Sequence, residues 1–519
     1  MKKYLPVLIL AALAGLSAAL LTYRLGMFSY WGDEVGSIMY ARNDLVPMIK
    51  VLLREDVHPP LYYAILHWWI SLFGEGEAAL RFLSVIPAVL ALFVTYRLGR
   101  ELFGERVALL TVLLLAVSPE LLLFGRMVRY YSLAMLFAAC ATLSFFRFLR
   151  DGRARHLAAY VVWAALLLYT TYTTLSVVIA HNLIVLLSLR RNGGVRARLL
   201  PWFAGQAALA LLYAPCIVLF CMMIARMSRE ALPPSDLSSG IAGVLLKCAY
   251  ALYGFCCGET LFPWRFGVVV PVFGVVAAAF WSACRKRTPA VMPLVLLVAV
   301  PVVFTVAILS SVKTSSSFLY TPSRTLFALP YFCMLISYGL CALDRPRLRA
   351  AMAAVLVFGA AVSARNYFTA SDVIMPAYVA PWSEVLRDIQ RRADPQDIVV
   401  AEETREFLYY YDRDKYRFRF FADEDAARDY LIQRPFVKIF YVRTGRDHQP
   451  SGLSPSFGGW VTSQYRMVNR TGYVPVDPVY MRIKQRALKR APYAYKIEVF
   501  EYRRKDGETQ IAYLGRDTQ

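Results

Sequence analysis

Two adjacent carboxylates, Asp33 and Glu34, follow the first apolar span of the chain, residues 4–23. Burying such a pair costs desolvation energy, and the two negative charges repel one another. One of them could therefore act as a general base or as an ion ligand. The competing interpretation is a solvated pair at a membrane surface, but the neighbouring Trp31 and Tyr40 favour a formed pocket.

A second candidate group begins at His58, which opens the segment His58-Pro59-Pro60-Leu61-Tyr62-Tyr63. Prolines fix the backbone that enters a helix, and the N–H groups at a helix start attract anions. A histidine at this position could donate a hydrogen bond to an anionic group. The alternative is a histidine that caps its own helix.

Arginines lie at the ends of two further apolar segments. Arg129 is followed by Tyr130 and Tyr131, and Arg324 follows a serine-rich loop. A guanidinium group can neutralise a phosphate with two parallel hydrogen bonds, although snorkelling to lipid headgroups is the simpler alternative. Together with the histidine and the carboxylate pair, these arginines suit a substrate that has a phosphate and a hydroxyl to be deprotonated.

The composition indicates a membrane protein that crosses the bilayer several times. Of its 519 residues, 58% are apolar, which is typical of polytopic membrane proteins. The net charge of +22 lies mostly in residues 1–366, where 33 Lys and Arg stand against 15 Asp and Glu, while residues 367–519 hold 25 against 21. The positive-inside rule accounts for such an excess in a membrane domain, so no nucleic-acid partner is predicted.

Eleven apolar segments are predicted to span the membrane. The termini and loops assigned to the cytoplasm hold 19 Lys and Arg against four acids, which predicts an inside N-terminus and an outside C-terminus. A cleaved signal peptide is the competing interpretation of the first segment. Two other apolar segments, 59–73 and 241–257, are predicted to lie as helices in the membrane interface. The predicted spans are 4–23, 78–97, 107–124, 131–149, 157–172, 174–189, 201–223, 266–284, 290–309, 326–343 and 348–366.

The residues after 366 predict a separate domain, so the chain divides into a transmembrane domain, 1–366, and an extracytoplasmic domain, 367–519. Helical patterns alternate there with short apolar strands, which indicates a small α/β fold. No glycine-rich phosphate loop is present, so no nucleotide is predicted. The predicted helices are 382–392, 403–411, 422–434 and 478–490, and the predicted strands are 397–401, 436–442, 495–502 and 510–514.

The sequence gives no firm prediction of a cofactor. All nine cysteines precede residue 342, mostly within apolar runs, and their spacing fits neither a metal site nor a disulfide scaffold. Asp33 and Glu34 could hold a divalent cation weakly, so a metal requirement stays open.

With these motifs in this order, the chain resembles the C-type (GT-C) membrane glycosyltransferases. The likeness is to bacterial relatives of the protein O-mannosyltransferases and of the lipid A aminoarabinose transferase. It covers residues 1–150 in motifs and residues 151–366 in topology. This chain has Arg129-Tyr130-Tyr131 where several relatives have a further acidic residue. The resemblance is carried by Asp33-Glu34, His58-Pro59-Pro60-Leu61-Tyr62-Tyr63, Leu72-Phe73-Gly74, Ala79-Leu80-Arg81, Gly99-Arg100-Glu101-Leu102-Phe103-Gly104, Arg129-Tyr130-Tyr131-Ser132-Leu133 and Arg324 before Leu329-Pro330.

The resemblance implies a polytopic α-helical protein of GT-C fold in the bacterial inner membrane, with its active site and C-terminal α/β domain facing the periplasm. The implied donor is a sugar on a polyprenyl phosphate, and the acceptor is a glycan, lipid or protein. Asp33 is implied as the general base, and Glu34 as a group that helps bind or orient the acceptor. The implied donor-phosphate ligands are His58, Arg129 and Arg324. The predicted substrate-pocket residues are Trp31, Tyr62, Tyr63, Tyr130 and Tyr131.

A transporter or flippase of lipid-linked sugars is the main alternative. Such a protein would be expected to have acidic residues or Gly and Pro breaks in the middle of its spans, and could also contain pseudo-repeats. The predicted spans hold almost no charges at their centres, and the sequence has no internal repeat that we detect. A membrane-anchored scaffold, the third hypothesis, leaves the pattern of the first loop unexplained.

Overall fold

The structure is a computed structural model that describes most of the chain in two compact units. The first unit consists of Met1–Gly26 with Ser37–Ile374, and the second of Met27–Gly36 with Met375–Gln519. The segment that carries Asp33 and Glu34 thus belongs to the second unit. The described residues are 4–55, 58–189, 196–229, 240–286, 288–311, 321–401, 404–434, 437–445, 453–474, 477–488 and 496–505.

The described part of the first unit is built from helices. One of them, α2 (Gly32–Ala41), begins in the second unit and ends in the first. Short 3₁₀ turns lie at Tyr172–Thr174 and Leu326–Ala328. The helices are α1 Leu5–Thr22, α2 Gly32–Ala41, α3 Leu45–Glu55, α4 Leu61–Phe73, α5 Glu77–Phe103, α6 Glu105–Ala116, α7 Pro119–Phe124, α8 Tyr131–Asp151, α9 Ala154–Leu168, α10 Leu175–Leu189, α11 Leu199–Arg229, α12 Gly240–Cys257, α13 Phe266–Arg285, α14 Val291–Ser311, α15 Thr321–Thr325, α16 Leu329–Cys341 and α17 Pro346–Phe368.

Within the described residues, nine helical segments are long and apolar enough to cross a membrane. Nine of the eleven predicted spans coincide with these segments, and the other two, 107–124 and 157–172, do not. The helix α9 has 15 residues, fewer than the roughly 20 that a span needs. The predicted span 107–124 is divided into α6 and α7, because the Ser118 side chain accepts a hydrogen bond from the Leu121 N–H and Pro119 starts a new helix. The chain is a multi-pass membrane protein.

The centre of the first unit is formed around residues 321–341, the most buried of the candidate spans. These residues form α15 and α16, and α16 packs on α6, α13 and α14. A Cβ atom built on Gly339 would lie 1.9 Å from the Ala279 carbonyl oxygen of α13. The absence of a side chain at Gly339 therefore allows the two backbones to approach closely.

The C-terminal part of the second unit is an α/β domain whose described residues form a mixed sheet. Its five strands are β1 Ile398–Ala401, β2 Arg419–Phe421, β3 Ile439–Gly445, β4 Tyr465–Gly472 and β5 Lys496–Arg504. Their order in the sheet is β2-β1-β3-β5-β4. The strand β1 pairs in parallel with β2 and β3, whereas β5 pairs antiparallel with β3 and β4. All four residues of β1 are buried, as expected for a strand covered on both faces. The helices are α18 Trp382–Arg392, α19 Arg405–Asp414, α20 Glu424–Gln433, α21 Pro455–Gln464 and α22 Pro478–Leu488, with a 3₁₀ turn at Pro376–Val379.

Most predicted elements of this domain are confirmed, and α18 has the predicted bounds. Among the described residues after 375, three elements were not predicted, namely β2, α21 and β4. The strand β4 is mostly exposed, so its sequence lacks the apolar alternation that reveals a strand. The predicted strand 510–514 lies outside the described residues.

Candidate active site

The acidic pair lies in the first turn of α2, where Glu34 fixes the start of the helix. A Glu34 carboxylate oxygen, Oε2, accepts a hydrogen bond of 3.2 Å from the backbone N–H of Trp31, three residues earlier. This is the glutamate half of a capping box, which satisfies an N–H group at the helix start. Glu34 is fully buried and Asp33 is half-buried. Glu34 therefore orients the helical turn that carries Asp33.

A buried cation, Arg129, is held by two side chains of the first unit. Its Nη1 donates to the Ser37 hydroxyl at 2.9 Å, and its Nη2 lies 2.9 Å from Nε2 of His58. A guanidinium group can only donate hydrogen bonds, so Nε2 of His58 is the acceptor and this nitrogen has no proton. The structure thus brings together two residues predicted to bind phosphate, and His58 orients the guanidinium group rather than capping its own helix.

Aromatic side chains surround this cation. The Arg129 guanidinium carbon lies 5.3 Å from the ring centre of Tyr130 and 5.8 Å from that of Tyr131, within the range of cation–π attraction. The His58 ring meets Tyr130 edge-on at 4.9 Å. On α4, Tyr62 and Tyr63 are both buried, and their ring centres are 6.1 Å apart.

The remaining predicted residues lie on other elements. Arg324 is half-buried on α15, which contacts α7 and α12. Trp31, in the second unit, packs its ring edge-on against Tyr378 at 4.8 Å. Arg126, which precedes Arg129 in the same segment, donates to the Tyr23 carbonyl at 2.9 Å and therefore ties that segment to the end of α1.

Helix α2 links the two groups of residues along the chain. Asp33 stands at its second position and Ser37 four residues later. Side chains four residues apart lie on the same face of a helix. The helix therefore presents a carboxylate and, one turn later, the hydroxyl that accepts a hydrogen bond from Arg129.

Two further acidic residues, Glu120 and Glu259, were not singled out from the sequence, yet both are fully buried in the first unit. They are close enough to repel one another when both are ionised, and neither carboxyl group makes a well-formed hydrogen bond within the part of the chain that is described. Gly254 and Gly258, at the end of α12, allow this part of the chain to pack closely against α7. A Cβ atom on Gly254 would lie 3.0 Å from Oε1 of Glu120, and one on Gly258 2.6 Å from Cβ of Pro119. The sequence signal for Glu120 is an acid directly after the helix break at Ser118-Pro119.

Burial raises the pKa of Glu259 to about 8, and the nearby Tyr250 hydroxyl partly opposes this rise. The folded protein therefore keeps a proton on Glu259 that the unfolded chain, with an ordinary pKa of 4.5, releases. The contribution of Glu259 to stability should fall as the pH rises from about 4.5 to about 8, and should then stay constant. Glu259→Gln is expected to make the thermal unfolding temperature of the purified protein depend less on pH in this range.

The matched control for this prediction is Glu384→Gln, because Glu384 is exposed on α18. The control should keep the pH dependence of the unmodified protein. An equal pH dependence in Glu259→Gln and the unmodified protein would show that Glu259 is ionised in the fold.

The fold is similar to that of several solved structures. ArnT from Cupriavidus metallidurans in the apo state has a TM-score of 0.51 at 14% identity, covering 95% of this chain and 97% of that chain. The same enzyme bound to undecaprenyl phosphate has a TM-score of 0.50 at 14% identity, with the same coverage. The Archaeoglobus fulgidus oligosaccharyltransferase tethered with an acceptor peptide has a TM-score of 0.51 at 12% identity, covering 96% of this chain and 89% of that chain.

These structural similarities show that the chain has the GT-C fold, as the sequence resemblance predicted. Within it, residues 57–219 match the family model described as dolichyl-phosphate-mannose-protein mannosyltransferase. That match includes His58 and Arg129. A sequence search of curated proteins gives no significant match.

Proposed function

We propose that the protein is an inverting glycosyltransferase that moves a sugar from a polyprenyl-phosphate donor to an acceptor hydroxyl. The observation that carries this proposal is α2, which bears Asp33 and, one turn later, the Ser37 hydroxyl bonded to Arg129. A proton acceptor and a buried cation are the two groups that such a reaction requires. The GT-C fold and the family match over residues 57–219 support the same class of reaction.

In the proposed reaction the acceptor oxygen attacks the anomeric carbon of the donor sugar. The bond between that carbon and the phosphate oxygen breaks, and its electron pair stays on the departing polyprenyl phosphate. The hydroxyl proton passes to the Asp33 carboxylate, and attack opposite the phosphate inverts the anomeric centre. Proton acceptance of this kind contributes roughly 10²–10⁴-fold to a rate.

The Arg129 guanidinium stabilises the negative charge that develops on the phosphate as its bond to the sugar breaks. Arg129 can bind phosphate oxygens through parallel N–H donors, and its charge is worth most in a buried site. His58 holds the guanidinium group in orientation. We assign Arg324 to the same phosphate, and the aromatic side chains of Trp31, Tyr62, Tyr63, Tyr130 and Tyr131 to the substrate pocket.

The lipid-linked donor follows from where the reaction is proposed to occur. The charge bias of the loops supports an inner-membrane protein with its active site and C-terminal domain facing the periplasm. Nucleotide sugars are not readily available on that side, whereas polyprenyl-phosphate sugars are embedded in the membrane. The structure of ArnT with undecaprenyl phosphate supports this donor class.

The test incubates the purified protein with radiolabelled polyprenyl-phosphate sugars and membrane extract, with and without a chelator. We expect a labelled glycan, lipid or protein product and the release of polyprenyl phosphate. Loss of sugar transfer in the presence of the chelator would show that the reaction requires a divalent cation. Movement of intact donor across vesicle membranes without any labelled product would instead support the flippase hypothesis.

A further inference from the structure

The segment 29–36, which contains the acidic pair, is held by the C-terminal α/β domain. The backbone N–H of Tyr30 donates a hydrogen bond of 2.7 Å to the Tyr410 hydroxyl on α19. Both residues are fully buried, although 380 positions separate them in the sequence. Because the bond fixes a backbone group, it constrains the path of the chain three residues before Asp33.

Aromatic packing reinforces this hydrogen bond. The Tyr30 ring packs edge-on against Tyr409, with ring centres 5.7 Å apart, and stacks on Tyr410, with ring centres 6.4 Å apart. The Arg413 guanidinium lies over the Tyr410 ring at 4.6 Å from its centre. Such contacts hold the Tyr410 hydroxyl in place, since a ring packed between neighbours has few alternative rotamers.

Two glycines allow α19 to approach the first turns of α2. A Cβ atom built on Gly32 would lie 3.1 Å from Oε1 of Glu406, and one on Gly36 would lie 3.2 Å from Nη1 of Arg405. Gly32 and Gly36 are four residues apart, so they form one face of the helix. The Glu406 carboxylate thus lies beside the N-terminus of α2, where a negative charge is favourable.

A second set of contacts holds the residues on either side of Tyr30. The Ser383 N–H donates to the Ser29 hydroxyl at 3.0 Å, and the Ser29 hydroxyl lies 3.2 Å from the Ser383 hydroxyl. Trp31 packs on Tyr378. The segment is therefore held at Ser29, Tyr30, Trp31, Gly32 and Gly36 by residues that follow position 375.

From these contacts we infer that the C-terminal domain is part of the catalytic machinery, with Tyr410 and Glu406 as positioning residues that set the place of Asp33. This inference rests on the proposed function for the role of Asp33. It assigns the domain a task that neither its fold nor the sequence indicates. Removing the Tyr410 hydroxyl should shift the Asp33 carboxylate without altering Arg129 or the side chains that bind it, Ser37 and His58. A displacement of about 1 Å can reduce a rate about 10²-fold.

The test compares Tyr410→Phe with Tyr411→Phe. Tyr411 is the next residue on the same helix, but its hydroxyl donates to the Phe418 carbonyl at 3.0 Å and its ring packs on Phe407 and Phe420. Both variants of the full chain lose one tyrosine hydroxyl. Amide hydrogen exchange in residues 29–36 and steady-state transfer from a polyprenyl-phosphate sugar are measured for each.

We expect faster exchange of the Tyr30 amide in Tyr410→Phe and a fall in kcat of about 10–100-fold, with an unchanged KM for the donor. Tyr411→Phe should match the unmodified protein in both measurements. Unchanged exchange at Tyr30, or faster exchange with an unchanged kcat, would overturn the inference. If the unmodified protein transfers no sugar, the proposed function fails, and the exchange measurement still decides whether Tyr410 holds the segment.

Discussion

Asp33→Asn is expected to lower the rate of sugar transfer by about 10²–10⁴-fold, since the amide cannot accept the acceptor proton. The protein should still fold. Asparagine has nearly the same size as aspartate, and the charge lost from the first turn of α2 contributes only about 0.3–1 kcal/mol. The measurement is the initial rate of labelled product formation, together with the thermal unfolding temperature of the same preparation.

The matched control is Glu34→Gln, which makes the same chemical change at the next residue. Glutamine keeps an oxygen that can accept the hydrogen bond from the Trp31 N–H, and a capping box tolerates either residue. This variant should lose much less activity than Asp33→Asn. Equal losses in the two variants, or full activity in Asp33→Asn, would show that Asp33 is not the base.

The membrane helices could be predicted because each depends on a local property, a run of apolar residues of sufficient length. The prediction was wrong where the backbone breaks, as at Ser118-Pro119, because the high average hydropathy of residues 107–124 outweighs a serine that caps a helix and a proline that starts one. The predicted span 157–172 likewise extends past Leu168, where α9 and the apolar run both end, into a segment of tyrosines and threonines.

The contacts of the candidate site could be predicted only where they lie close to a motif. The segment at residues 58–63 and the Arg129-Tyr130-Tyr131 sequence pointed to His58 and Arg129, and the structure joins them. The bond from Arg129 to Ser37 was not predicted, because a single serine in a helix has no distinguishing pattern. The hydrogen bond between Tyr30 and Tyr410 could not be predicted either, because no local sequence pattern connects two tyrosines that are 380 residues apart.

This difference explains why the acidic pair was predictable as a pair but not in its separate roles. In the sequence, Asp33 and Glu34 are equivalent neighbours. In the helix they differ by one position, and the Glu34 carboxylate reaches back to the Trp31 N–H. The geometry of the first helical turn, rather than the chemistry of the two residues, therefore separates the proposed base from the residue that orients it.

Arg129→Ala is expected to reduce kcat by about 10²–10³-fold, the typical cost of removing one preorganised group that stabilises developing charge. Arg129→Lys should recover part of the activity, because lysine keeps the charge but cannot form two parallel hydrogen bonds with a phosphate. Added polyprenyl phosphate should inhibit Arg129→Ala less than it inhibits the unmodified protein. Initial rates at several donor concentrations, with and without this product, measure all three effects.

Arg126→Lys is the matched control, because Arg126 is also buried and belongs to the same segment. Its described hydrogen bond goes to the Tyr23 carbonyl, and its guanidinium lies over the rings of Tyr367 and Phe368. A lysine can still donate to a carbonyl, and it keeps the attraction of a cation to aromatic rings. Arg126→Lys should therefore retain more activity than Arg129→Lys and the normal inhibition by polyprenyl phosphate. If the two variants lost activity equally and kept equal inhibition, Arg129 would be a structural residue, and the donor phosphate would have to be bound elsewhere.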